Sequence, residues 1–308
     1  MTTSVVIGVD LGGTNTKLGV IDSRGKILIR RQFSTQTYTT GEALADALCR
    51  ALYSLKNECE RTNYHCKAIG LGVAGRLSAD GVRFSPNVPQ LNHFPLLTYL
   101  KEILRLSIAM DNDANCFGLG ENWLGAGKDI RNWLGMTLGT GIGGCLILNN
   151  RLWHGDNLGM VGEIGHMVVY PHGAQCACGS IGCLEAVASG GGLVRAYQTG
   201  ICQVKATPKD IYLAARSGDA FACRLFEEMG VALGIAISNA FNLLGIHTAV
   251  IGGGVSAAWE LFISPLKKTL ERVNHMLTGT KPDIRIAQLG ADAALYGAAQ
   301  LAWEISEK

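Results

Sequence analysis

The chain has 308 residues, 48% of them hydrophobic and 17% charged, and its formal net charge is +2. This composition excludes a disordered chain, and the length allows a large core, with two domains favoured over one. The near-neutral charge argues against a nucleic acid partner.

The N-terminus and the cysteine content predict a cytoplasmic protein. The first ten residues lack a basic stretch and reach Asp10 after a short apolar run, as in a strand rather than a signal peptide. The ten cysteines are interpreted as reduced thiols plus a metal site. The stretch 229–259 has no Asp, Glu, Lys or Arg, but Asn239, Asn242, His247 and three glycines interrupt it. We therefore expect a buried helix, a turn and a strand there, and no membrane span.

Hydrophobic periodicity predicts an alternation of strands and helices. The predicted strands cover 4–9, 18–21, 26–33, 68–73, 108–110, 132–138, 142–148, 248–251 and 284–288. The predicted helices cover 41–61, 95–106, 114–124, 190–199, 208–217, 219–243, 257–275 and 292–304. Two weak echoes relate 9–14 to 137–144 and 69–75 to 250–256. They predict one supersecondary unit used twice, in two α/β lobes that bind ligands at the strand ends in a cleft.

Two glycine-rich hairpins are candidate phosphate sites. Glycine lets a backbone approach a phosphate, which exposed N–H groups then bind. Thr14 and Thr140 add hydroxyls, Lys17 adds a cation, and Asp10 is placed to hold Mg²⁺ through water. The alternative is a pair of ordinary glycine turns, but their matched positions favour phosphate binding. The hairpin residues are Gly12 and Gly13, then Gly139 and Gly141.

An acidic cluster, Asp111-Asn112-Asp113, stands between a predicted strand and a predicted helix. A carboxylate there can accept the proton of a substrate hydroxyl that attacks phosphorus. The alternative is a helix N-cap with ordinary turn residues, which accounts for one of the two acids. We favour the functional interpretation.

A loop between residues 162 and 185 carries a Cys₃His set: His166, Cys176, Cys178 and Cys183. This set is a common ligand set of structural zinc, although the spacing differs from that of standard zinc fingers. The alternative is a reduced loop with unrelated cysteines. Glu163 and Glu185 flank the set, and paired carboxylates suit a ligand with many hydroxyls. Asn87 could add an amide, and the other histidines, His154 and His275 among them, are expected to have surface or satisfied polar roles.

Five motifs together resemble the ROK family of sugar kinases and sugar-responsive repressors. They are Asp-Leu-Gly-Gly-Thr-Asn-Thr-Lys (10–17), Asn-Asp-Ala-Asn (112–115), Leu-Gly-Thr-Gly-Ile-Gly-Gly (138–144), Gly-Glu-Ile-Gly-His (162–166) and Cys-x-Cys-Gly-x-x-Gly-Cys-Leu-Glu (176–185). The resemblance runs from residue 5 to about residue 300. It implies a two-lobed α/β fold of the actin-like ATPase (ribonuclease H-like) class. The first lobe would be 1–118, joined by the helix 292–308, and the second would be 119–291, carrying the zinc loop.

The resemblance also implies roles for individual residues. Asp113 would be the general base, and the hairpins would bind the phosphates of ATP with Mg²⁺. Gly253 and Gly254 would lie near the adenosine. His166 and the three cysteines would hold structural zinc. The residues implied in sugar binding are Gly75, Asn87, Asn112, Asp113, Glu163, His166 and Glu185.

The resemblance favours an ATP-dependent hexose kinase, with glucose the first candidate, and a homodimer. The chain departs from the family pattern at Arg76-Leu77-Ser78 and at Gln90-Leu91-Asn92, both on the sugar side. Mannose, fructose, N-acetylglucosamine and N-acetylmannosamine therefore stay open as substrates. A sugar-sensing regulator is the third hypothesis. It is disfavoured because the first strand begins by Val5, which leaves no room for a preceding helix-turn-helix.

Overall fold

The computed structural model describes residues 3–155, 161–201, 205–273, 279 and 281–307. Cys202 and His275 lie outside the described residues. The strands are β1 (Thr3–Leu11), β2 (Asn15–Asp22), β3 (Ile27–Ser34), β4 (Tyr64–Val73), β5 (Arg76–Leu77), β6 (Val82–Phe84), β7 (Ser107–Asn112), β8 (Trp133–Leu138), β9 (Ile142–Leu148), β10 (Arg151–Leu152), β11 (Thr248–Gly252) and β12 (Asp283–Ile286). The α-helices are α1 (Gly41–Arg61), α2 (Leu96–Leu104), α3 (Asp113–Leu124), α4 (Leu184–Ala188), α5 (Gly190–Ile201), α6 (Pro208–Arg216), α7 (Ala220–Leu244), α8 (Trp259–Val273) and α9 (Ala293–Ser306).

The chain divides into two compact units. The first unit consists of Met1–Ile130, Leu152–Met160 and Ala291–Lys308, and the second of Arg131–Arg151 and Val161–Gly290. The boundary predicted after residue 118 falls inside α3. The whole of α3 belongs to the first unit, where it packs against α9. The change of unit comes instead at Ile130 and Arg131.

The first unit is built on a sheet of order β3-β2-β1-β4-β7. The hairpin strands β1, β2 and β3 pair antiparallel, whereas β1, β4 and β7 run parallel. On one face, α1 buries Leu44, Leu48 and Leu52 at the predicted helical spacing, and Thr40 caps its first turn. On the other face, α9 packs on β1 and β4. The helix approaches the sheet so closely that a Cβ at Gly70 would overlap the backbone of Ala298.

The second unit contains a sheet with the same pattern, β10-β9-β8-β11-β12. Here β8 pairs antiparallel with β9, and β8, β11 and β12 run parallel. The long helix α7 fills the core with Phe226, Leu233 and Phe241, none of them more than 1% exposed. The two predicted sequence echoes are confirmed, since 9–14 and 137–144 form matching hairpins, and β4 and β11 match beside them.

No helix among the described residues has both the length and the apolar character needed to cross a bilayer. The segment 229–259 contains the end of α7 and then strand β11, as the sequence predicts, and these are followed by a short 3-10 turn. The predicted helix 257–275 starts later, at Trp259, because residues Gly254–Ala258 form that 3-10 turn.

Candidate active site

In the first unit, acidic side chains gather where three parallel strands end. Asp10 on β1 lies beside Gly72 on β4, and Gly72 lies beside Asp111 on β7. The carboxyl ends of parallel strands are the usual place for ligands in such sheets. The predicted acidic cluster is therefore brought next to the predicted magnesium ligand.

Asn112, rather than either aspartate, caps α3. Its Oδ1 accepts hydrogen bonds from the N–H groups of Ala114 at 2.8 Å and Asn115 at 3.3 Å, and its Nδ2 donates to the carbonyl of Gly75 at 3.0 Å. Because Asn112 takes the cap, the carboxylate of Asp113 in the first helical turn is not needed for it. Asp113 is half-buried.

The surroundings of Asp113 favour its protonated form. Burial, followed by the negative charge of Asp10, raises the pKa of Asp113 to about 6. A carboxylate with this pKa is ionised at neutral pH but accepts a proton more readily than an exposed aspartate. This property suits a general base.

Lys17 and Asp10 form a pair across the first hairpin. Lys17 Nζ lies 3.4 Å from Asp10 Oδ2 and also donates to the carbonyl of Ala291 at 2.6 Å. Burial raises the pKa of Asp10, while the Lys17 ammonium opposes that effect. The cation predicted for phosphate binding is thus engaged with the predicted magnesium ligand.

Asp111 is buried, at 8% exposure, and holds three partners. It accepts from the N–H of Asn112 and from Asn115 Nδ2, both at 2.7 Å, and lies 2.6 Å from Nε2 of His154. This hydrogen bond raises the pKa of His154, and burial opposes the effect. The sequence pattern does not predict this partner, because His154 and Asp111 are 43 residues apart in the chain.

Two loops predicted for sugar binding lie in the same unit. Gly75 has φ +118°, and a Cβ there would overlap the backbone of Phe84, so only glycine fits this turn. Asn87 is exposed, and its backbone lies against the tip of the first hairpin, since a Cβ at Gly13 would come within 2.6 Å of its carbonyl oxygen. Gly12 and Thr14 complete this tip.

In the second unit, the second hairpin opens onto a cavity of about 810 Å³. Gly139 and Thr140 line it together with Gly254 and Val255. Gly253 has φ +87° and lies so close to Leu138 that a Cβ would overlap the backbone there. Apolar walls beside exposed backbone N–H groups are suited to the base and phosphates of a nucleotide.

Helix α6 supplies a wall of this cavity that the sequence analysis missed. Pro208, Lys209 and Tyr212 line it, and Tyr212 donates to Glu260 at 2.8 Å. A signal for the start of α6 was present, because Thr207 and Asp210 form a capping box with proline in the first turn. Nothing in that pattern identifies a ligand site.

The Cys₃His loop brings its four predicted ligands together. One atom from each of His166, Cys176, Cys178 and Cys183 lies within 4.8 Å of the others. The Sγ atoms of Cys178 and Cys183 are 3.7 Å apart, and Cys176 Sγ is 3.8 Å from His166 Nδ1. Bonds of about 2.3 Å to a tetrahedral metal place thiolates roughly 3.8 Å apart. The donor set and its dimensions therefore fit zinc.

The two glutamates beside this cluster differ in their contacts. Glu163 Oε2 lies 3.8 Å from His166 Nε2, the ring nitrogen that does not face Cys176, and both side chains are partly exposed. Glu185 instead accepts from the N–H of Ile142 at 2.8 Å, at the second hairpin. The predicted site residues thus form one group in each unit.

Comparison with known proteins identifies the class. The ROK family pattern matches residues 6–305, and this chain belongs to the ROK family. A glucokinase of Halalkalibacterium halodurans is 36% identical over 306 residues, which cover 94% of this chain and 92% of that protein.

Solved structures agree with this assignment. A ROK hexokinase from Thermus thermophilus has a TM-score of 0.86 at 32% identity, covering 99% of this chain and 100% of the other. A ROK family glucokinase from Streptomyces griseus, in complex with glucose and AMPPNP, has a TM-score of 0.80 at 34% identity, covering 97% and 99%. The predicted family and the predicted α/β fold of the actin-like class are confirmed.

Proposed function

We propose that this protein is an ATP-dependent hexose kinase that transfers the γ-phosphoryl group of ATP to the 6-hydroxyl of glucose. The observation that carries the proposal is Asp113, a half-buried carboxylate at a strand-to-helix junction with a pKa of about 6. The relatives named glucokinase and the glucose complex of the Streptomyces griseus enzyme support it.

In this proposal, Asp113 accepts the proton of the sugar hydroxyl as its oxygen attacks the γ-phosphorus. The P–O bond to ADP breaks as the new P–O bond forms, and the proton remains on the carboxyl group. Asn112 orients the start of α3 and keeps Asp113 in place, since its amide is engaged with Gly75 and the first turn of α3.

Asp10 is the residue that would hold Mg²⁺. Its half-buried carboxylate supplies the oxygen donor that this ion prefers, and Mg²⁺ commonly takes one or two protein carboxylates together with water and phosphates. When bound, Mg²⁺ neutralises charge on the phosphates. Lys17 fixes the orientation of the Asp10 carboxylate through their ion pair.

The nucleotide would bind in the cavity of the second unit. At the hairpin tip Gly139–Gly141, the N–H groups of Thr140 and Gly141 would donate to phosphate oxygens, since the N–H of Gly139 donates to the carbonyl of Gly141 at 2.9 Å. Gly253 and Gly254 would face the adenosine. In the first unit, the tip Gly12 to Thr14 is proposed to bind phosphate through the N–H groups of Gly13 and Thr14, since the N–H of Gly12 donates to the carbonyl of Asn15. The supporting observation is the apolar cavity that opens beside the second hairpin.

The residues proposed to bind sugar hydroxyls lie on the metal loop of the second unit and at the strand ends and nearby loops of the first. Glu163 and His166 are exposed on the same short turn, so they are available to hydroxyl groups. The other members of the proposed set are Gly75, Asn87, Asn112, Asp113 and Glu185.

The Cys₃His cluster would hold zinc in a structural role. Four protein ligands leave a tetrahedral metal no open position, so the metal supplies folding energy for the loop rather than chemistry. We expect about one zinc per chain when the protein is purified without chelator, measured by elemental analysis. A content well below one would contradict this part of the proposal.

A cytoplasmic homodimer belongs to the same proposal. Burial raises the pKa of the Cys49 and Cys59 thiols to about 11 and that of Cys66 to about 12, as expected for inert reduced thiols. Size-exclusion chromatography with light scattering would measure the mass in solution, and a monomer would contradict the dimer.

A coupled spectrophotometric assay with ATP and a panel of hexoses tests the substrate. We expect a higher kcat/KM with glucose than with mannose, fructose or the N-acetylhexosamines. A higher value for N-acetylglucosamine or N-acetylmannosamine would reassign the sugar while keeping the reaction. Absence of phosphorylation of every sugar, in protein that binds them, would favour a sugar-sensing role.

A further inference from the structure

The metal loop and the second hairpin are connected by a short path of hydrogen bonds. The last metal ligand, Cys183, is followed directly by α4, which carries Glu185. Glu185 Oε2 accepts from the N–H of Ile142 at 2.8 Å, and its Oε1 lies 3.9 Å from Cys176 Sγ. One carboxylate therefore contacts both the metal loop and the first residue after the hairpin tip.

The chain that follows α4 reinforces this path. Gly190 donates to the carbonyl of Gly139 at 2.8 Å, and Gly191 donates to that of Thr140 at 3.1 Å. Ser189, between α4 and these glycines, bonds back to the carbonyl of Glu185 at 2.7 Å. Three backbone groups of the hairpin region, the carbonyls of Gly139 and Thr140 and the N–H of Ile142, are thereby held by the segment that leaves the metal loop.

Glu185 packs closely against the tip of the second hairpin. A Cβ at Gly141 would overlap the carboxylate of Glu185, so the hairpin tip and this side chain are in direct contact. Gly190 and Gly191 also line the 810 Å³ cavity, together with Gly139 and Thr140. A displacement of α4 would consequently change the orientation of the N–H groups that face the cavity.

We propose that Glu185 is a positioning residue through which the metal-bound Cys₃His loop sets the affinity of the second hairpin for nucleotide. The proposal rests on the proposed function, because it assumes that the hairpin binds nucleotide phosphates. Metal binding fixes the loop, the loop fixes α4, and Glu185 fixes the hairpin backbone. Glu163 flanks the same loop, but its carboxylate lies against His166.

Linkage makes the coupling reciprocal. If zinc strengthens nucleotide binding by a given factor, nucleotide must strengthen zinc binding by the same factor. We expect a coupling of roughly five- to twenty-fold, within the usual range for two linked sites. Isothermal titration would measure the Kd of AMPPNP with Mg²⁺, without sugar, on zinc-loaded and chelator-treated protein. Competition with a zinc indicator would give the reverse factor.

Variants separate Glu185 from a general weakening of the loop. In zinc-loaded protein, Glu185→Ala should raise the Kd of AMPPNP about five- to twenty-fold. Glu185→Gln retains an oxygen acceptor for the Ile142 N–H and should stay within about two-fold of wild type. Glu227→Ala is the control, since it removes an exposed acid on α7 of the same unit and should leave the Kd of AMPPNP unchanged. Elemental analysis and circular dichroism establish that each variant is folded and zinc-loaded.

The outcomes are distinct. Equal AMPPNP affinity in Glu185→Ala and wild type, or tighter binding from relief of charge repulsion, would overturn the proposal. So would equal affinities of zinc-loaded and zinc-free protein that are both folded. Failure of zinc-loaded wild type to bind AMPPNP at all would instead overturn the proposed function.

Discussion

At the end of β1, Asp10 faces Lys17 across the hairpin and Gly72 on the parallel neighbour strand. At the matching place in the second sheet, Thr137 on β8 faces Gly143 and Gly252. The two registers are equivalent, but an ion pair stands in the first unit where a threonine and a glycine stand in the second.

The difference extends to the surroundings of each hairpin. In the first unit, Asp111 lies near the end of β7 and Asp113 begins α3, and burial together with the charge of Asp10 raises the pKa of Asp113 to about 6. In the second unit, the same edge opens onto the apolar cavity. One repeated backbone unit thus provides titratable groups in one place and space in the other. In the proposed function, the first unit carries the residue that accepts the proton and the second unit carries the nucleotide cavity.

The strongest challenge to this contrast is Asp113→Asn. We expect kcat to fall by about 10²- to 10⁴-fold, since the amide cannot accept the proton, while glucose binding stays largely intact. Glucose affinity by titration and kcat by the coupled assay measure the two effects. Glu102→Gln, at an exposed acid on α2, is the control.

Stability provides a second measure on the same variant. An acid whose pKa is raised in the folded state binds its proton more tightly there, so its contribution to stability declines as pH rises from about 3.8 to about 6. Removing the charge should therefore raise the free energy of unfolding at pH 7, by roughly 1–2 kcal/mol.

The kinetic result on the same variant decides the role of Asp113. Near-normal kcat in Asp113→Asn would reject Asp113 as the base.

The pH dependence of kcat is the next prediction. Asp113 acts as a base only when ionised, so kcat should fall below a pKa of about 6, approaching ten-fold per pH unit on the acidic side. This fall of kcat is measured from initial rates between pH 4.5 and 8, with saturating glucose and ATP. The buffers are kept at constant ionic strength. A kcat that stays constant down to pH 5 would contradict a pKa of about 6 for Asp113.

Much of this contrast was accessible from sequence. The helix predicted at 41–61 has the observed bounds of α1, because Thr40 caps it and a regular leucine stripe runs along it. The paired hairpins, the Cys₃His cluster and the Asp-Asn-Asp junction are local patterns, so spacing was enough to find them. Local pattern also gave the position of Asp113, although it could not show that Asn112 takes the cap.

The missed features depend on contacts that are distant in sequence. His154 reaches Asp111 and Lys17 reaches Ala291 only after the chain folds. Helix α4 has only five residues and too short a pattern to predict, and the strands β5 and β6 are equally short. The position of α6 against the cavity depends on tertiary packing, which hydrophobic periodicity in the sequence does not predict.

Gly253 and Gly254 offer a matched pair for the second hairpin. Gly253→Ala should lower the free energy of unfolding by about 1–3 kcal/mol, because its φ of +87° disfavours a side chain and the Cβ would overlap Leu138. Gly254→Ala has open space around the added Cβ and should stay within about 0.5 kcal/mol. Chemical denaturation measures both. Equal losses in the two variants would show that the backbone at Gly253 does not restrain the hairpin.

The smallest expected effect concerns His154, the hydrogen-bond partner of Asp111. Its pKa is raised by the hydrogen bond to Asp111, and the other charged group that acts on it is Glu304. A histidine with a raised folded pKa contributes stability that is full below about pH 6.5 and is lost as pH rises through the folded value. His154→Gln should therefore lower stability at pH 6 more than at pH 9. The difference should stay below about 1 kcal/mol, because the ring is 55% exposed and solvent screens the pair.

Denaturation at both pH values measures the change in stability. His65→Gln, at an exposed position of β4, is the control for loss of an imidazole. An equal loss at both pH values would mean that hydrogen bonding alone, without charge, holds this histidine on Asp111.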